Sequence, residues 1–217
     1  IFLLSSKMII ATFIFGNLAY FIFCKGVRSF KNKKTIVTFL LLTIVFTLAS
    51  RQAVNRFLIE KSTNFEEVVH REKFNRVYPW TGSSIRILQL RNLNNQIKED
   101  KIFWKGFGLF ASRKNLKERH LAFNTYYGYH SYNYHNMYAQ MLSETGIFGL
   151  LMLLCLLIGS LIIAIKVKSV LFFMVYFLLS MTFITETFLW VHRGVFIFTI
   201  FHCLFYNTNF LILNKNK

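Results

Sequence analysis

Apolar runs divide the chain. They fall at 1–24, 35–50, 145–165, 169–190 and 194–213, with one long polar stretch, 51–144, between the second and third. The hydrocarbon core of a bilayer takes ~20 helical residues to cross, so each run predicts a membrane-spanning α-helix. The 35–50 run is short, and the long side chains of Lys34 and Arg51 at its ends make up the span by reaching back to the interface. The pattern predicts an all-α integral membrane protein in three parts. Two transmembrane helices with a basic connection (1–50) precede a long extracytoplasmic loop (51–144), and three further transmembrane helices follow (145–217). The chain opens at Ile1 inside an apolar run, without an initiator Met, so it is expected to be the C-terminal part of a longer protein and a fragment of a larger bundle. Lys7 inside that run, with no small-residue cleavage site after it, argues against a signal peptide.

Inside the loop the period becomes helical. Thr81-Gly82-Ser83-Ser84 offers caps for IRILQLRNLNNQIKE. Arg86, Leu90, Leu93 and Ile97 recur at helical spacing and predict an amphipathic helix with an arginine on its apolar stripe. That arginine either lies along the membrane surface or reaches a buried anion. KIFWKGFG (101–108) ends the helix in an interfacial turn carried by Trp104, Gly106 and Gly108. Without the GxxxxGK[ST] spacing it is no phosphate loop. From Ser112 to Tyr134 the chain is basic, then Tyr-rich, with little periodicity, and reads as a loop able to order over a ligand. A helical pattern then runs without proline into 21 uncharged residues, Thr145 to Ile165. It places His135 about two to three helical turns above the membrane-buried segment.

Composition agrees with this class. At 54% hydrophobic and 18% aromatic, with 26 Phe and one Pro among 217 residues, the chain is too apolar for a soluble globule. A net charge of +17 would suggest nucleic acid in a soluble chain. Here the cations flank membrane helices and face membrane lipids, so no nucleic-acid partner is expected. The connection KGVRSFKNKK (25–34), Lys166–Lys168 and the tail NKNK fall on one side of five alternating spans, which the positive-inside rule makes cytoplasmic. Lys7, Arg51, Glu186, His192 and Arg193 then gather at the outer helix ends, on the side of His135. Single charges at such positions often serve only as interfacial anchors. Cys24, Cys155 and Cys203 lie in apolar spans without CxxC or metal-type spacing, and read as packing residues.

Few chemistries remain. Acids are scarce and the cysteines lie in the membrane, so paired-carboxylate and triad mechanisms lack partners. His130 and His135, five apart, have neither the HExxH spacing nor a third ligand, so no metal and no cofactor is expected. A histidine among cations, amides and tyrosines suits transfer of a group from an anionic leaving group. Cations neutralise the developing charge, and a neutral imidazole with pKa ~6.5 takes a proton from an attacking hydroxyl. Tyr126, Tyr127, Tyr129, Tyr132, Tyr134 and Tyr138 can stack on sugar faces, although tyrosine near a bilayer is more often an anchor.

His135-Asn136-Met137-Tyr138, followed by Leu142, Glu144, Gly146-Ile147 and Gly149, resembles the HNxY…L…E.G..G signature of the bacterial O-antigen ligase and polymerase family. SSIRILQLRNLNNQIKEDKIFWKGFG (83–108) is similar to that family's Ser/Arg-to-GxG segment, with Leu90 near the expected Trp and Lys105 in place of Pro. LLSSK (3–7) resembles its SR motif with Lys7 for Arg, Ser50-Arg51 offers a second match, and TETFLWVHRGVFIF (185–198) resembles its closing helix pair.

The resemblance implies a GT-C-like glycosyltransferase of the bacterial inner membrane, active on the periplasmic face. It would move a glycan from undecaprenyl diphosphate to a hydroxyl of an acceptor glycan or lipid A core, without cofactor or metal. It implies His135 as the residue that activates or positions the acceptor hydroxyl, and Arg86 on the diphosphate with Lys7 or Arg51 as second cation. Asn136 and Tyr138 would orient the histidine or touch sugar, and Glu144 would stand behind them. The alternative is a polytopic transporter or flippase of lipid-linked glycans. A transporter keeps ionisable residues at mid-membrane, whereas here they gather at the outer ends.

Overall fold

The computed structural model describes residues 65–74 and 80–215. The spans expected at 1–24 and 35–50, with Lys7, Cys24 and Arg51, lie outside the described residues. Six α-helices and no strand occur among the described residues. They are α1 (Phe65–His70), α2 (Gly82–Glu99), α3 (Ser112–Ala122), α4 (Met137–Lys166), α5 (Val170–Thr182) and α6 (His192–Lys215), with 3-10 turns at Tyr127–Ser131 and Phe188–Trp190. Helix α4 is long and apolar enough to cross a membrane, and α5 is a shorter apolar helix. The chain divides into two compact units, one formed by Ser62–Ile158 with Phe183–Phe201, the other including Gly159–Thr182 and His202–Lys217.

In the first unit α2 is the central element. Thr81 is its N-cap, and its hydroxyl lies 3.0 Å from that of Ser84. The buried face is not the Arg86–Leu90–Leu93–Ile97 stripe of the apolar pattern. It consists of Ser84, Ile85, Leu88, Gln89, Asn92, Leu93 and Gln96, while Leu90 is 47% exposed. The helical period was legible, but its phase was hidden because amides occupy three of the seven inward positions. Burying an amide costs free energy unless it is hydrogen-bonded, and α3 and the chain before α4 supply partners: Gln89 meets His120, and Tyr134 donates to Gln96. Arg91 clips α1 to α2 by donating to Val68 O (3.0 Å) and Arg71 O (2.7 Å), with its guanidinium 4.5 Å over the Phe123 ring.

Three elements differ from the sequence reading. The Ser112–Tyr134 stretch is not a loop throughout, since Ser112–Ala122 is helical and buries Ser112, Leu116 and His120. Those residues share one face, but only one of them is apolar, so hydropathy shows no period. Helix α4 is broken at Gly146, whose φ of 69° and ψ of −164° are non-helical. His135 therefore does not stand on a straight extension of the apolar segment. The third difference is that the 169–190 span stops being helical at Thr182, and 183–187 turns back as non-helical chain.

The break in α4 is filled by the 101–108 turn. Phe107 N and Gly108 N donate to the carbonyls of Ser143 (2.8 Å) and Glu144 (2.9 Å), and Ile147 N donates to Phe103 O (2.8 Å). Two glycines permit this approach. A Cβ on Gly106 would lie 2.4 Å from Glu144 C and O, and one on Gly146 would lie 2.2 Å from Trp104 O. Both also have positive φ, where a side chain adds strain.

The described helices of the second unit are largely apolar, with Phe172 and Tyr176 fully buried. Phe172 stacks on Phe205 at 5.3 Å, and Tyr176 hydrogen-bonds His202 inside α6. Cys155 and Cys203 are free and exposed, not packed.

Candidate functional site

His135 lies just before Asn136, the cap of α4, and its backbone N–H is held by a side chain. Its φ of 47° is the left-handed conformation that Asn, Asp and His tolerate best among side-chain-bearing residues. The Asn133 side chain accepts from His135 N at 2.9 Å. Asn136 is the helix cap: its Oδ1 accepts from Ala139 N at 2.9 Å, the expected use of Asn at this position. Its Nδ2 donates to Ile184 O at 3.0 Å, and Met137 N donates to Phe183 O at 2.7 Å. The non-helical 183–187 return is thereby fastened to the start of α4.

That return delivers Glu186. Its carboxylate has Oε2 3.7 Å from His135 Nδ1 and Oε1 3.4 Å from Arg86 Nη2. The histidine contact is an ion-pair separation, longer than a hydrogen bond. Arg86 also donates to Thr185 O and to Gly82 O, both at 3.3 Å, and its buried Nε has no hydrogen-bond partner among the described residues. The His135 imidazole, then the Arg86 guanidinium, holds the Glu186 carboxyl below the usual carboxylate range, against partial burial that pushes it up. Tyr132 stands edge-on to His135 at 5.1 Å between ring centroids. A nitrogen base, a carboxylate and a guanidinium thus share one surface of the first unit.

Of the residues singled out from sequence, the structure brings His135, Arg86 and Asn136 together. Tyr138 lies in the first turn of α4, edge-on to Phe183 at 6.3 Å. Glu144 is 5% exposed, and its Oε1 accepts from Ser112 Oγ (2.6 Å), Gln140 Nε2 (2.7 Å) and Trp190 Nε1 (3.1 Å). Gln140 Oε1 in turn lies 3.4 Å from Tyr134 N, next to His135, so Glu144 stands behind the site through two intermediaries. His192 and Arg193 are exposed at the start of α6. Lys7 and Arg51 lie outside the described residues. Among the described residues no cluster of His, Cys, Asp and Glu could hold a metal.

The residue that sequence reading passed over is Glu186. It was placed at an outer helix end but given no partner. The available signal was its company: a lone carboxylate in TETFLW, in a chain with nine acids against 26 cations.

No curated protein and no solved structure matches the chain. A family model does match. It is that of the O-antigen ligases, and it covers residues 1–154, which include Lys7, Arg51, Arg86 and the His135–Glu144 block but not Glu186. With most of its length matched, the chain belongs to the O-antigen ligase family.

Proposed function

We propose that the chain carries the catalytic face of a transferase that moves a glycan from undecaprenyl diphosphate to an acceptor hydroxyl. Membership of the family brings O-antigen ligase- or polymerase-type glycosyl transfer at a membrane. The observation that carries the finer reading is the Glu186 carboxylate set between His135 and Arg86. With Nδ1 turned toward a carboxylate, the other ring nitrogen, Nε2, is the one left to meet a hydroxyl. In the reaction the acceptor oxygen attacks the sugar's anomeric carbon, the bond from that carbon to the diphosphate oxygen breaks, and the hydroxyl proton passes to His135. Glu186 stabilises the imidazolium that results, and its depressed pKa keeps it ionised at neutral pH.

Arg86 supplies positive charge to the leaving diphosphate. Its pair with Glu186 is exposed, at 35% and 53% of the two side chains, so it is worth little and is readily exchanged for a phosphate oxygen. Lys7 or Arg51 is the second cation in this reading. Asn136 acts through the backbone, by fixing α4 and the 183–187 return against each other. Tyr138 borders the site, and Glu144 fixes the scaffold behind it. Five spans, with the 51–144 loop on the periplasmic face of the inner membrane, complete the proposal. One observation favours the alternative, transport without chemistry: His202 lies well inside α6, bonded to Tyr176.

Arg86→Lys tests the diphosphate role. It keeps the charge but loses the planar fork that fits phosphate oxygens. In full-length protein in vesicles, Arg86→Lys is expected to cut transfer from lipid-linked donor at least tenfold (roughly 1.4 kcal/mol), while Lys114→Ala, on the exposed side of α3, leaves it unchanged. Equal, small effects would make Arg86 a membrane anchor and defeat its assignment.

A further inference from the structure

Two of the aromatic groups in the first unit differ in chemistry. One closes over the break in α4: Trp104 is 5.3 Å from Phe103 and 6.1 Å from Phe148, all rings without hydroxyls, at the start of the apolar part of the helix. Lipid is the natural surrounding for that group. The other is built of tyrosines and ends on the histidine. From Tyr127 the ring centroids step 4.5 Å to Tyr126, 5.5 Å to Tyr129, 5.4 Å to Tyr132 and 5.1 Å to His135.

This second group has a fixed base and open faces. Tyr129 is buried, stacked on Trp80 at 5.9 Å and hydrogen-bonded to the Trp80 backbone. Tyr127 is 72% exposed and Tyr132 36%. The turn that carries Tyr127 and leads into Tyr132 packs on α3, whose exposed residues are Arg113, Lys114, Lys117 and Glu118, with Leu121 and Ala122 at its end. Four charged side chains on so short a helix suit a solvated face.

We propose that Tyr127 and Tyr132 form a glycan-binding platform that holds sugar rings of the acceptor chain on the approach to His135. The proposal rests on the reading of His135 as the base at the acceptor hydroxyl. A pyranose has a C–H face and a rim of hydroxyls; an aromatic ring matches the face and a phenol the rim. Tyr132 leans on buried Tyr129, and Tyr127 on Tyr126, which itself meets Tyr129, so part of the side-chain freedom is already lost before binding. Tyr132 touches His135 and Tyr127 lies three rings further out, so the platform reads sugars beyond the reacting one. The acceptor it fits is a chain of several sugars.

The test uses full-length protein in vesicles, undecaprenyl-diphosphate-linked oligosaccharide extracted from the producing cells as donor, and envelope glycan from cells lacking the protein as acceptor. Loss of one stacking contact in Tyr127→Ala is expected to raise the acceptor KM roughly 3- to 10-fold, with kcat and donor KM unchanged. Tyr127→Phe should stay close to wild type, and Tyr127→Leu should behave like Ala. An unchanged acceptor KM in Tyr127→Ala overturns the platform. So does full retention in Tyr127→Leu, because a bilayer anchor accepts an aliphatic side chain and a sugar stack does not. His135→Ala run in parallel separates the two claims. If it is inactive while Tyr127→Ala has normal KM, only the platform fails; if it is active, the catalytic reading beneath it fails.

Discussion

His120 makes the first unit acid-sensitive by a calculable amount. The ring is fully buried, with Nε2 3.1 Å from Gln89 Nε2 and Nδ1 3.0 Å from Thr125 Oγ1. The Gln89 oxygen accepts from Asn92 Nδ2, so its nitrogen donates and His120 Nε2 must accept. Nδ1 then carries the proton, and the Thr125 hydroxyl donates onward to His120 O at 3.2 Å. The network is complete for the neutral ring alone, since a second proton would point N–H at N–H. Burial, with the His130 ring nearby, lowers the His120 pKa from 6.5 to about 4.

Between those two values the unfolded chain binds a proton that the folded chain refuses. Stability from this group is therefore full above the unfolded pKa and falls as pH drops toward 4. At ~1.4 kcal/mol per pKa unit the loss approaches about 3 kcal/mol. Hydrogen exchange of α2 and α3 amides in the detergent-solubilised protein, corrected for intrinsic rates, should lose protection by up to ~10-fold per pH unit over this window. His120→Gln, which cannot titrate there, should start less protected and lose much less. An unchanged pH slope in His120→Gln would refute the argument.

Two further outcomes follow from the same geometry. Glu144→Ala leaves the donors of Ser112, Gln140 and Trp190 without their shared acceptor. Gln140 Nε2 keeps Ser112 Oγ as an acceptor, so at ~1–3 kcal/mol for a buried unsatisfied group thermal denaturation should show a loss of about that size, with Glu144→Gln milder because its amide oxygen still accepts; equal stability of the Ala variant would contradict the network. For topology, a cysteine at exposed Lys114 should label with an impermeant thiol reagent in intact cells, and one at Lys168 should resist. Labelling at Lys168 would reverse the orientation.

How much of this was legible beforehand depended on what each element buries. The apolar run of α4, the start of α2 after Thr81 and the Gly106–Gly108 turn could be read directly, because hydropathy and backbone-permissive residues announce them, although the Thr81 side chain makes no capping bond. The inner faces of α2 and α3 could not. Gln89, Asn92, Gln96, Ser112 and His120 are buried with hydrogen bonds to one another or to Tyr134, Gln140 and Glu144, and hydropathy registers such residues as exposed. The break at Gly146 escaped because glycine also occurs inside continuous helices; what breaks α4 here is the backbone of a turn some forty residues earlier entering the gap. Of the site, His135, Asn136 and Arg86 were named from sequence, but Glu186 required the end of α5 at Thr182, which an unbroken 169–190 helix would have placed elsewhere.

The central claim is that His135 takes a proton from the acceptor. Its most direct test is glycan transfer by full-length His135→Gln, which keeps a hydrogen-bonding side chain of similar reach but has no basic nitrogen near neutral pH. His192→Ala, at an exposed position at the start of α6, serves as control. General-base contributions are ~10²–10⁴-fold, so His135→Gln should insert and fold normally yet fall at least a hundredfold in kcat (roughly 2.7 kcal/mol), while His192→Ala transfers at the wild-type rate. Wild-type transfer by correctly inserted His135→Gln would contradict the claim.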